Sequence, residues 1–274
     1  MIEALLALIA SGSGGTFAKK SVQKLGRRKA IVYFYVVLVS LLAAGALLFG
    51  IQVSLPEELV FDYIALAFIG AVGVIGYFKA LEEGKISILA PLGRLHVLIV
   101  IALSIIIFGE MLSIAQIGGS LLIILSAVVI ALDKGKIEKG VKYMAIAILG
   151  WGYYFTFLKT FVVALGPYAA TLLAESGVAF FVIAYYVIRR AELSPPSPRE
   201  GRYAIAQGTA MFFGLLLYNF SIASIGAALT ASVVAAAPIV NSIVAFLLLG
   251  EKLDMHKYVA IVLMIIGLIT LILI

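Results

Sequence analysis

The chain contains no cysteine and only two histidines, and 12% of its 274 residues are charged. The lack of cysteine excludes disulfides, thiolate metal sites and cysteine nucleophiles. A soluble domain is about 25% charged and about 45–50% apolar, whereas this chain is 64% hydrophobic and has a mean hydropathy of +1.19. The composition therefore predicts that almost the whole chain faces lipid or other membrane helices.

Residues that carry out chemistry in enzymes are also scarce. The two histidines lie far apart, and the chain shows neither an acidic metal cluster nor a nucleotide-binding loop. The positive residues lie in short loops between apolar runs, which is not the pattern of a nucleic-acid-binding surface. We therefore predict no cofactor, no metal site, no nucleic-acid partner and no enzymatic activity. A membrane-embedded enzyme and a non-transporting membrane scaffold or sensor are kept as alternatives.

Ten apolar runs are long enough to be membrane helices, which need about 20 residues to cross the hydrocarbon. The runs are continuous rather than alternating, so they predict helices and not strands. The first run has no positive charge before it, which favours a membrane helix over a signal peptide. The predicted fold is an all-α membrane protein with ten transmembrane helices, at roughly 2–18, 30–51, 59–81, 86–108, 113–132, 141–159, 168–188, 203–222, 227–249 and 255–274.

Residues 218–273 repeat residues 77–132 without a gap, at a shift of 141 positions. Tyr77 matches Tyr218, and Gly109-Glu110 matches Gly250-Glu251. Each copy is an apolar helix, a Gly-Glu break and another apolar helix, and such duplicated membrane units are typical of transporters. The predicted organisation is a first five-helix repeat over 1–132, a connecting loop over 133–140 and a second five-helix repeat over 141–274.

The loop charges predict the orientation of the chain in the membrane. The first odd-numbered loop holds six Lys and Arg residues, the third two, the fifth four, the seventh four and the ninth two, which is 18 of the 20 in the chain. Lysine and arginine concentrate in cytoplasmic loops, so both termini are predicted to lie outside. Five helices per repeat is an odd number, so the second repeat is predicted to enter the membrane inverted.

Motifs in both repeats resemble those of a known superfamily. The chain has Gly-Glu at the end of the fourth helix of each repeat, Pro238 13 residues before Glu251, and Trp151-Gly152 followed by Lys159. In order and spacing these motifs are similar to the drug/metabolite transporter superfamily, in its EamA-type ten-helix branch. The resemblance covers essentially the whole chain. It implies two five-helix repeats and a carrier of small organic metabolites in the cytoplasmic membrane, often an exporter.

The first repeat departs from the family pattern, because Val97 stands where the second repeat has Pro238 and its proline is Pro91. Members of the family move amino acids, drugs, sugars or nucleotide-linked compounds, so the resemblance leaves the substrate open. The family is often described with cytoplasmic termini, whereas the loop charges of this chain predict the reverse.

Ionisable residues inside membrane helices are costly and mark functional sites by default. Arg94 and His96 lie in the predicted fourth helix, and Glu175 lies at a similar depth in the seventh. One interpretation is a buried ion pair between Arg94 and Glu175 without a transport role. The other is that Arg94 binds an anionic substrate group, or that Glu175 or His96 exchanges a coupling proton.

Aromatic and amide side chains extend the candidate site. Trp151 and Tyr154 are candidates for stacking on a substrate ring, with interfacial anchoring as the alternative for Trp151. The amides are candidates for binding, with interhelical hydrogen bonds as the alternative. The predicted substrate-binding set is Arg94, His96, Trp151, Tyr154, Glu175, Tyr218, Asn219 and Asn241, with Pro91 and Pro238 as kink or gating positions.

Charged residues near helix ends have a simpler interpretation. Glu110 and Glu251 follow helix-ending glycines and are expected to be loop or cap residues. Lys20 and Lys159 are expected to extend towards the membrane surface, with gating contacts as the alternative.

The predicted function is a secondary carrier that exports an amino acid-, drug- or sugar-like metabolite by alternating access. No ATP-binding segment is present, so an ion gradient, exchange or the substrate gradient must drive it. The expected partners are the small-molecule substrate, the lipid bilayer and a coupling proton or ion; the oligomeric state stays open.

Overall fold

The structure, a computed structural model, describes residues 1–131, 139–249 and 255–273. These residues form eleven α-helices joined by short connections, with no strand among them. The Gly250-Glu251 motif of the second repeat lies outside the described residues. The helices are α1 Ile2–Phe49, α2 Val60–Glu83, α3 Ile86–Gly93, α4 His96–Phe108, α5 Ile114–Ala131, α6 Val141–Leu165, α7 Pro167–Ile188, α8 Pro198–Ile225, α9 Ala227–Val234, α10 Pro238–Leu249 and α11 Met255–Leu273.

Seven helical stretches in the described residues are long and apolar enough to cross a membrane. Two shorter apolar helices, Ile114–Val129 and Tyr258–Leu273, accompany them. Large hydrophobic side chains on many of these helices face outwards, as the lipid contact of a membrane protein requires. The prediction of an all-helical membrane protein is therefore confirmed. The seven stretches are Ile2–Phe49, Glu57–Glu83, Pro91–Phe108, Val141–Leu165, Pro167–Ile188, Pro198–Ile225 and Ala227–Val244.

The first two predicted helices follow each other directly: α1 consists of two helices that meet at a kink within the predicted loop at 19–29. Its 48 residues bend at Gly26, where φ is 72° and ψ is 159°. Such a backbone conformation is outside the helical region and is strained for residues that carry a Cβ. The predicted boundary between the helices is therefore a kink at a glycine rather than an extended loop.

The fourth and ninth predicted helices are each broken in two, where Pro91 and Pro238 predicted only kinks. Residues 94–95 separate α3 from α4, and residues 235–237 separate α9 from α10. In both breaks the backbone forms short i→i−3 hydrogen bonds, such as Leu95 N to Leu92 O at 3.1 Å and Ala237 N to Val234 O at 3.0 Å. Pro91 lies inside α3, and Pro238 is the first residue of α10.

The two breaks occupy equivalent places in the repeat. The shift that brings Tyr77 onto Tyr218 also brings α3 onto α9, since position 86 falls on 227 and position 93 falls on 234. The same shift brings the start of α5, at 114, onto the start of α11, at 255. The duplicated sequence therefore adopts a duplicated structure, in which each half carries one interrupted helix.

Helices of one half pack against helices of the other. Helix α1 packs along α8, α2 packs along α6, and α5 packs along α11. The first two contacts are equivalent under the repeat, because α6 corresponds to the start of α1 and α8 corresponds to α2. The halves are thus joined along several helix pairs, with the two broken helices between them.

Small residues permit the close approach of α2 and α6. A Cβ placed on Gly150 would lie 2.9 Å from the Cα of Gly73, which is closer than real side chains come. Close backbone approach at small residues is a common mode of helix packing in membranes.

Candidate functional site

A cavity of about 140 Å³ lies between the two halves of the chain. Its wall includes residues of both broken helices and of α1, α2, α6, α7 and α8. At about 10–15 Å³ for each water-sized group, this space holds roughly ten such groups. A concave, largely apolar wall with a few polar groups is typical of a small-molecule site.

The cavity brings together seven of the eight predicted substrate-binding residues, which come from both halves of the chain. Asn219 is the exception and is not in the wall. The residues that line the cavity are Arg94, His96, Trp151, Tyr154, Glu175, Tyr218 and Asn241.

Glu175 is buried beside the cavity and is bonded to a tyrosine. The hydroxyl of Tyr154 donates a hydrogen bond of 2.6 Å to Oε1 of Glu175. The hydroxyl joins α6 to α7, and both side chains are at most 4% exposed. The proposed alternative of an ion pair with Arg94 is not realised, since no contact in the described residues joins the two charged groups.

Arg94 occupies the break between α3 and α4 and lines the cavity. Within the described parts of the chain its guanidinium has neither an ion-pair partner nor a hydrogen-bond partner. Tyr77 of α2 and Tyr218 of α8 lie within electrostatic range of it. An arginine with free N–H donors on a cavity wall is suited to bind an acceptor-rich group of a ligand.

His96 is held by the backbone of the same break. Its Nδ1 is 2.7 Å from the carbonyl oxygen of Gly93. Because a carbonyl only accepts hydrogen bonds, Nδ1 must carry the proton in this contact. This bond spans the break and joins two residues that are three positions apart.

Aromatic rings form a continuous series along the cavity wall. The ring centroids of Tyr77 and Trp151 are 4.9 Å apart, and those of His96 and Trp151 are 5.8 Å apart. The series continues from His96 to Phe155 at 5.3 Å and from Phe155 to Tyr218 at 4.9 Å. These distances fall in the range of favourable aromatic contacts. Trp151 is therefore half-buried among the rings of the cavity wall.

The two predicted asparagines both bond across helices. Nδ2 of Asn219 donates to Oγ1 of Thr171 at 2.7 Å, which joins α8 to α7. Asn241 of α10 accepts a 2.6 Å hydrogen bond at Oδ1 from Thr16 of α1. Asn219 is thus an interhelical contact away from the cavity, whereas Asn241 combines such a contact with a place on the wall.

Several polar residues at the cavity were absent from the predicted set. Tyr77 had a signal in the sequence, because it is the repeat equivalent of the predicted Tyr218. Gln207 had a weaker one, as an amide within an apolar helix. Tyr35 on the wall and Thr16, which bonds to the wall residue Asn241, had none. Single hydroxyls in apolar helices are common and do not mark a site. Whether Tyr35 and Thr16 lie near the cavity depends on how the two halves pack.

A charged cluster joins the halves at the end of α4, within electrostatic range of Tyr218. Nζ of Lys159 donates to Oε1 of Glu110 at 2.7 Å. The same carboxylate accepts the backbone N–H groups of Ala227 at 2.8 Å and Ala228 at 2.7 Å, at the start of α9. A carboxylate at a helix N-terminus is stabilised by the free N–H groups and the helix dipole. Glu110 therefore caps a helix of the other repeat.

Lysine contacts also occur at the C-terminal end of α2. Nζ of Lys19 donates to the carbonyl oxygens of Leu81 at 2.5 Å and Gly84 at 2.6 Å. Lys79 pairs with Glu83 at 3.2 Å on the surface of α2. The Lys19 bonds hold the end of α2 against α1, whereas the Lys79 pair lies within α2.

The family of the chain follows from its sequence as a whole. Residues 1–132 and residues 138–273 each match the EamA-like transporter family. The chain belongs to the EamA-like transporter family. The match in two parts agrees with the duplicated helices and with the cavity between them. As an EamA-like transporter, the chain is a multi-pass membrane protein of a family that transports small molecules.

A solved structure supports the fold of this EamA-like transporter. A crystal structure described only as that of a protein superimposes with a TM-score of 0.79, covering 98% of this chain and 96% of the other. The two sequences are 15% identical, so the likeness concerns the fold alone. Comparison with curated proteins gives no match.

Proposed function

We propose that this protein is a secondary carrier that exports a small organic metabolite across the cytoplasmic membrane by alternating access. One observation carries the proposal: a cavity between two repeated halves has the Arg94 guanidinium on its wall and the Glu175 carboxyl beside it. Polar ionisable groups at such a place are expensive in a membrane protein and typically line a transport pathway. The direction rests on the family resemblance.

The proposed architecture is ten transmembrane segments in two inverted repeats, over 1–132 and 141–274 with 133–140 as the connection. Helix α1 has 48 residues, about twice the length needed for one crossing, with the Gly26 kink near its middle. Counting α1 as two crossings and adding α5 and α11 to the other six long stretches gives ten. The charges of the odd-numbered loops favour termini outside the cell.

Alternating access requires that the cavity be closed at one end at a time. The contacts of Glu110 with Lys159 and with the start of α9 join the halves at one end, and they support a state closed there. Opening that end would require the carboxylate to leave both partners. We propose that this cluster is a gate, which was the alternative interpretation of Lys159 from sequence.

The site set is proposed in roles that the contacts support. Arg94 binds an anionic group of the substrate, and the rings of Trp151, Tyr154 and Tyr218 contact its body. Glu175 exchanges a coupling proton and His96 orients the break.

The remaining residues of the set support the cavity. Asn241 supports the wall on the α10 side, and Pro91 and Pro238 are kink positions next to the two breaks. Amino acid-, drug- and sugar-like molecules of roughly ten non-hydrogen atoms fit the cavity volume.

The test is a two-step measurement on the purified full-length protein. Metabolites that raise its unfolding temperature are identified first, because a ligand of the native state stabilises it. Their flux is then measured in proteoliposomes by mass spectrometry of both compartments. We expect saturable flux of an unchanged compound that is lost in Arg94→Ala protein of normal stability. Glu175→Gln protein of normal stability should lose the net flux and keep only exchange.

The alternative functions give different results in the same experiment. A compound that binds but never crosses the bilayer would favour the scaffold or sensor. A compound that emerges chemically altered would favour the membrane enzyme. Normal flux in both variants would refute the assignment of the site while leaving the carrier function intact.

A further inference from the structure

We infer that Arg94, Tyr77 and Tyr218 form an oxyanion site that takes the carboxylate of a small aromatic monoanion. This inference rests on the proposed carrier function, since it names the substrate class of the same cavity. Tyr77 and Tyr218 are equivalent residues of the two halves, and Arg94 stands where the second half has Ala235.

The three residues line one cavity although they come from three helical elements. Both tyrosines lie within electrostatic range of the Arg94 guanidinium. All three line the cavity. The symmetric pair of phenols therefore shares a cavity with a cation that only the first repeat supplies.

The polar atoms of this group lack partners in the parts of the chain that the structure describes. The Tyr218 hydroxyl is buried and has no hydrogen-bond partner there, and the side chain is 4% exposed. The Arg94 guanidinium likewise lacks an acceptor. Unsatisfied buried donors and an unpaired cation are costly. A ligand that supplies two acceptor oxygens would satisfy the guanidinium and the hydroxyl together.

The charge of the wall selects a monoanion. Arg94 is the permanent cation of the described wall, and Glu175 contributes an acidic group bonded to Tyr154. A dianion such as a phosphate monoester would bring more negative charge than one arginine neutralises, in a cavity where an uncompensated charge is expensive. A carboxylate carries one charge and two oxygens, which matches a guanidinium.

The rings beside the oxyanion site select a flat, apolar body. Tyr77, Trp151, His96, Phe155 and Tyr218 follow one another at centroid distances from 4.9 to 5.8 Å. The flat ring of a ligand can contact this surface by offset stacking or edge-on. With space for roughly ten water-sized groups, the ligand class is an arylcarboxylate of about the size of benzoate.

Trp151 makes binding directly measurable, since it is the only tryptophan in the chain and it lines the cavity. Fluorescence of the purified full-length protein is titrated with benzoate, with benzamide and with phenyl phosphate. Benzamide has the same number of non-hydrogen atoms as benzoate and no charge. We expect a saturable change with benzoate and at least about tenfold weaker binding of benzamide and of phenyl phosphate, since charged hydrogen bonds contribute about 1.5–3 kcal/mol.

Variants assign this selectivity to the three residues. Arg94→Gln is expected to weaken benzoate binding at least about tenfold, and Tyr77→Phe and Tyr218→Phe about two- to tenfold each. Arg202→Gln and Tyr258→Phe, exposed positions away from the cavity, are the matched controls and should bind normally. Should Arg94→Gln protein fail to fold, Arg94→Lys replaces it and is expected to bind at an intermediate strength, because it keeps the charge and loses the planar fork.

Several results would overturn the inference. These are no saturable response to benzoate, equal binding of benzamide, tighter binding of phenyl phosphate, or unchanged binding by the Arg94 variant. Flux in proteoliposomes separates this inference from the carrier proposal. Tight benzoate binding without flux of any ligand contradicts the carrier only, whereas flux of uncharged compounds that does not depend on Arg94 contradicts the oxyanion site only.

Discussion

Glu110 of the first repeat accepts a 2.7 Å hydrogen bond from Lys159 of the second repeat. Its carboxylate also accepts two backbone N–H groups at the start of α9, and its side chain is 11% exposed. Hydrogen bonds to charged groups contribute about 1.5–3 kcal/mol when they are shielded from solvent. One carboxylate therefore holds the two halves together at this end.

The first prediction is that Glu110→Gln or Lys159→Met favours opening at this end. Loss of about 1.5–3 kcal/mol would move a closed–open equilibrium about 10- to 150-fold. Because the chain has no cysteine, spin labels can be attached at Met111→Cys and Val163→Cys, two exposed positions near the cluster. Pulsed EPR should show, in the variants, a population in which the distance between the two spin labels is longer.

The control for the gate is a surface ion pair of similar length. Lys29 lies 3.0 Å from Glu192, whose side chain is 79% exposed. Pairs of this kind contribute little to stability, so Lys29→Met should leave the distance distribution unchanged. An unchanged distribution in both gate variants would show that the cluster is a helix cap without a gating role.

The second prediction concerns Glu175. Glutamine has the shape of glutamate but cannot exchange a proton, so Glu175→Gln should abolish flux driven by a pH gradient. Exchange of substrate across the bilayer without a gradient should persist, since it needs no net proton transfer. Both are measured in proteoliposomes, with Glu83→Gln on the surface of α2 as the control. Flux that still follows the pH gradient in the Glu175 variant would remove this residue from the coupling.

The extent to which the sequence predicted this structure differs between its elements. The internal repeat predicted the equivalent helices. Arg94 and His96, as ionisable residues inside an apolar helix, indicated part of the cavity wall. Runs of apolar residues predicted the helices but not the breaks at 94–95 and 235–237, because hydropathy does not detect a change in backbone hydrogen bonding. The partner of Glu175 was also missed, since it depends on which face of α6 turns towards α7.

The third prediction is that the bond between Thr16 and Asn241 stabilises the broken helix of the second repeat. Thr16→Val keeps the shape and removes the hydroxyl, which leaves Oδ1 of Asn241 buried without its 2.6 Å donor. The expected loss of unfolding free energy is about 0.5–2 kcal/mol, as for hydrogen bonds between membrane helices. Thr270→Val is the matched control, because that hydroxyl bonds within its own helix at an exposed position. Equal stability of the two variants would contradict the role of this bond.

The fourth prediction concerns the contact between α2 and α6. Gly150→Ala would place a Cβ 2.9 Å from the Cα of Gly73, so the two helices must separate and lose packing. Overpacking of this kind typically costs about 1–3 kcal/mol. Gly118→Ala is the control, because no atom lies within 4 Å of a Cβ at that position; there alanine should be neutral or stabilising by up to about 1 kcal/mol. Unfolding in detergent measures both, and equal stability would show that α2 and α6 adjust freely.

The fifth prediction is the orientation of the chain. With 18 of 20 Lys and Arg residues near odd-numbered loops, the positive-inside rule places both termini outside. A phosphatase that is active only outside the cytoplasm, fused after Ile274, should therefore be active, whereas a fluorescent protein that folds only in the cytoplasm should be dark there. Removing positive charge tests whether the loop charges set the orientation. Replacing the six positive residues of 19–29 by glutamine should weaken or reverse the predicted orientation. An active cytoplasmic reporter on the unaltered chain would contradict the charge argument and place the end closed by Glu110 on the cytoplasmic side.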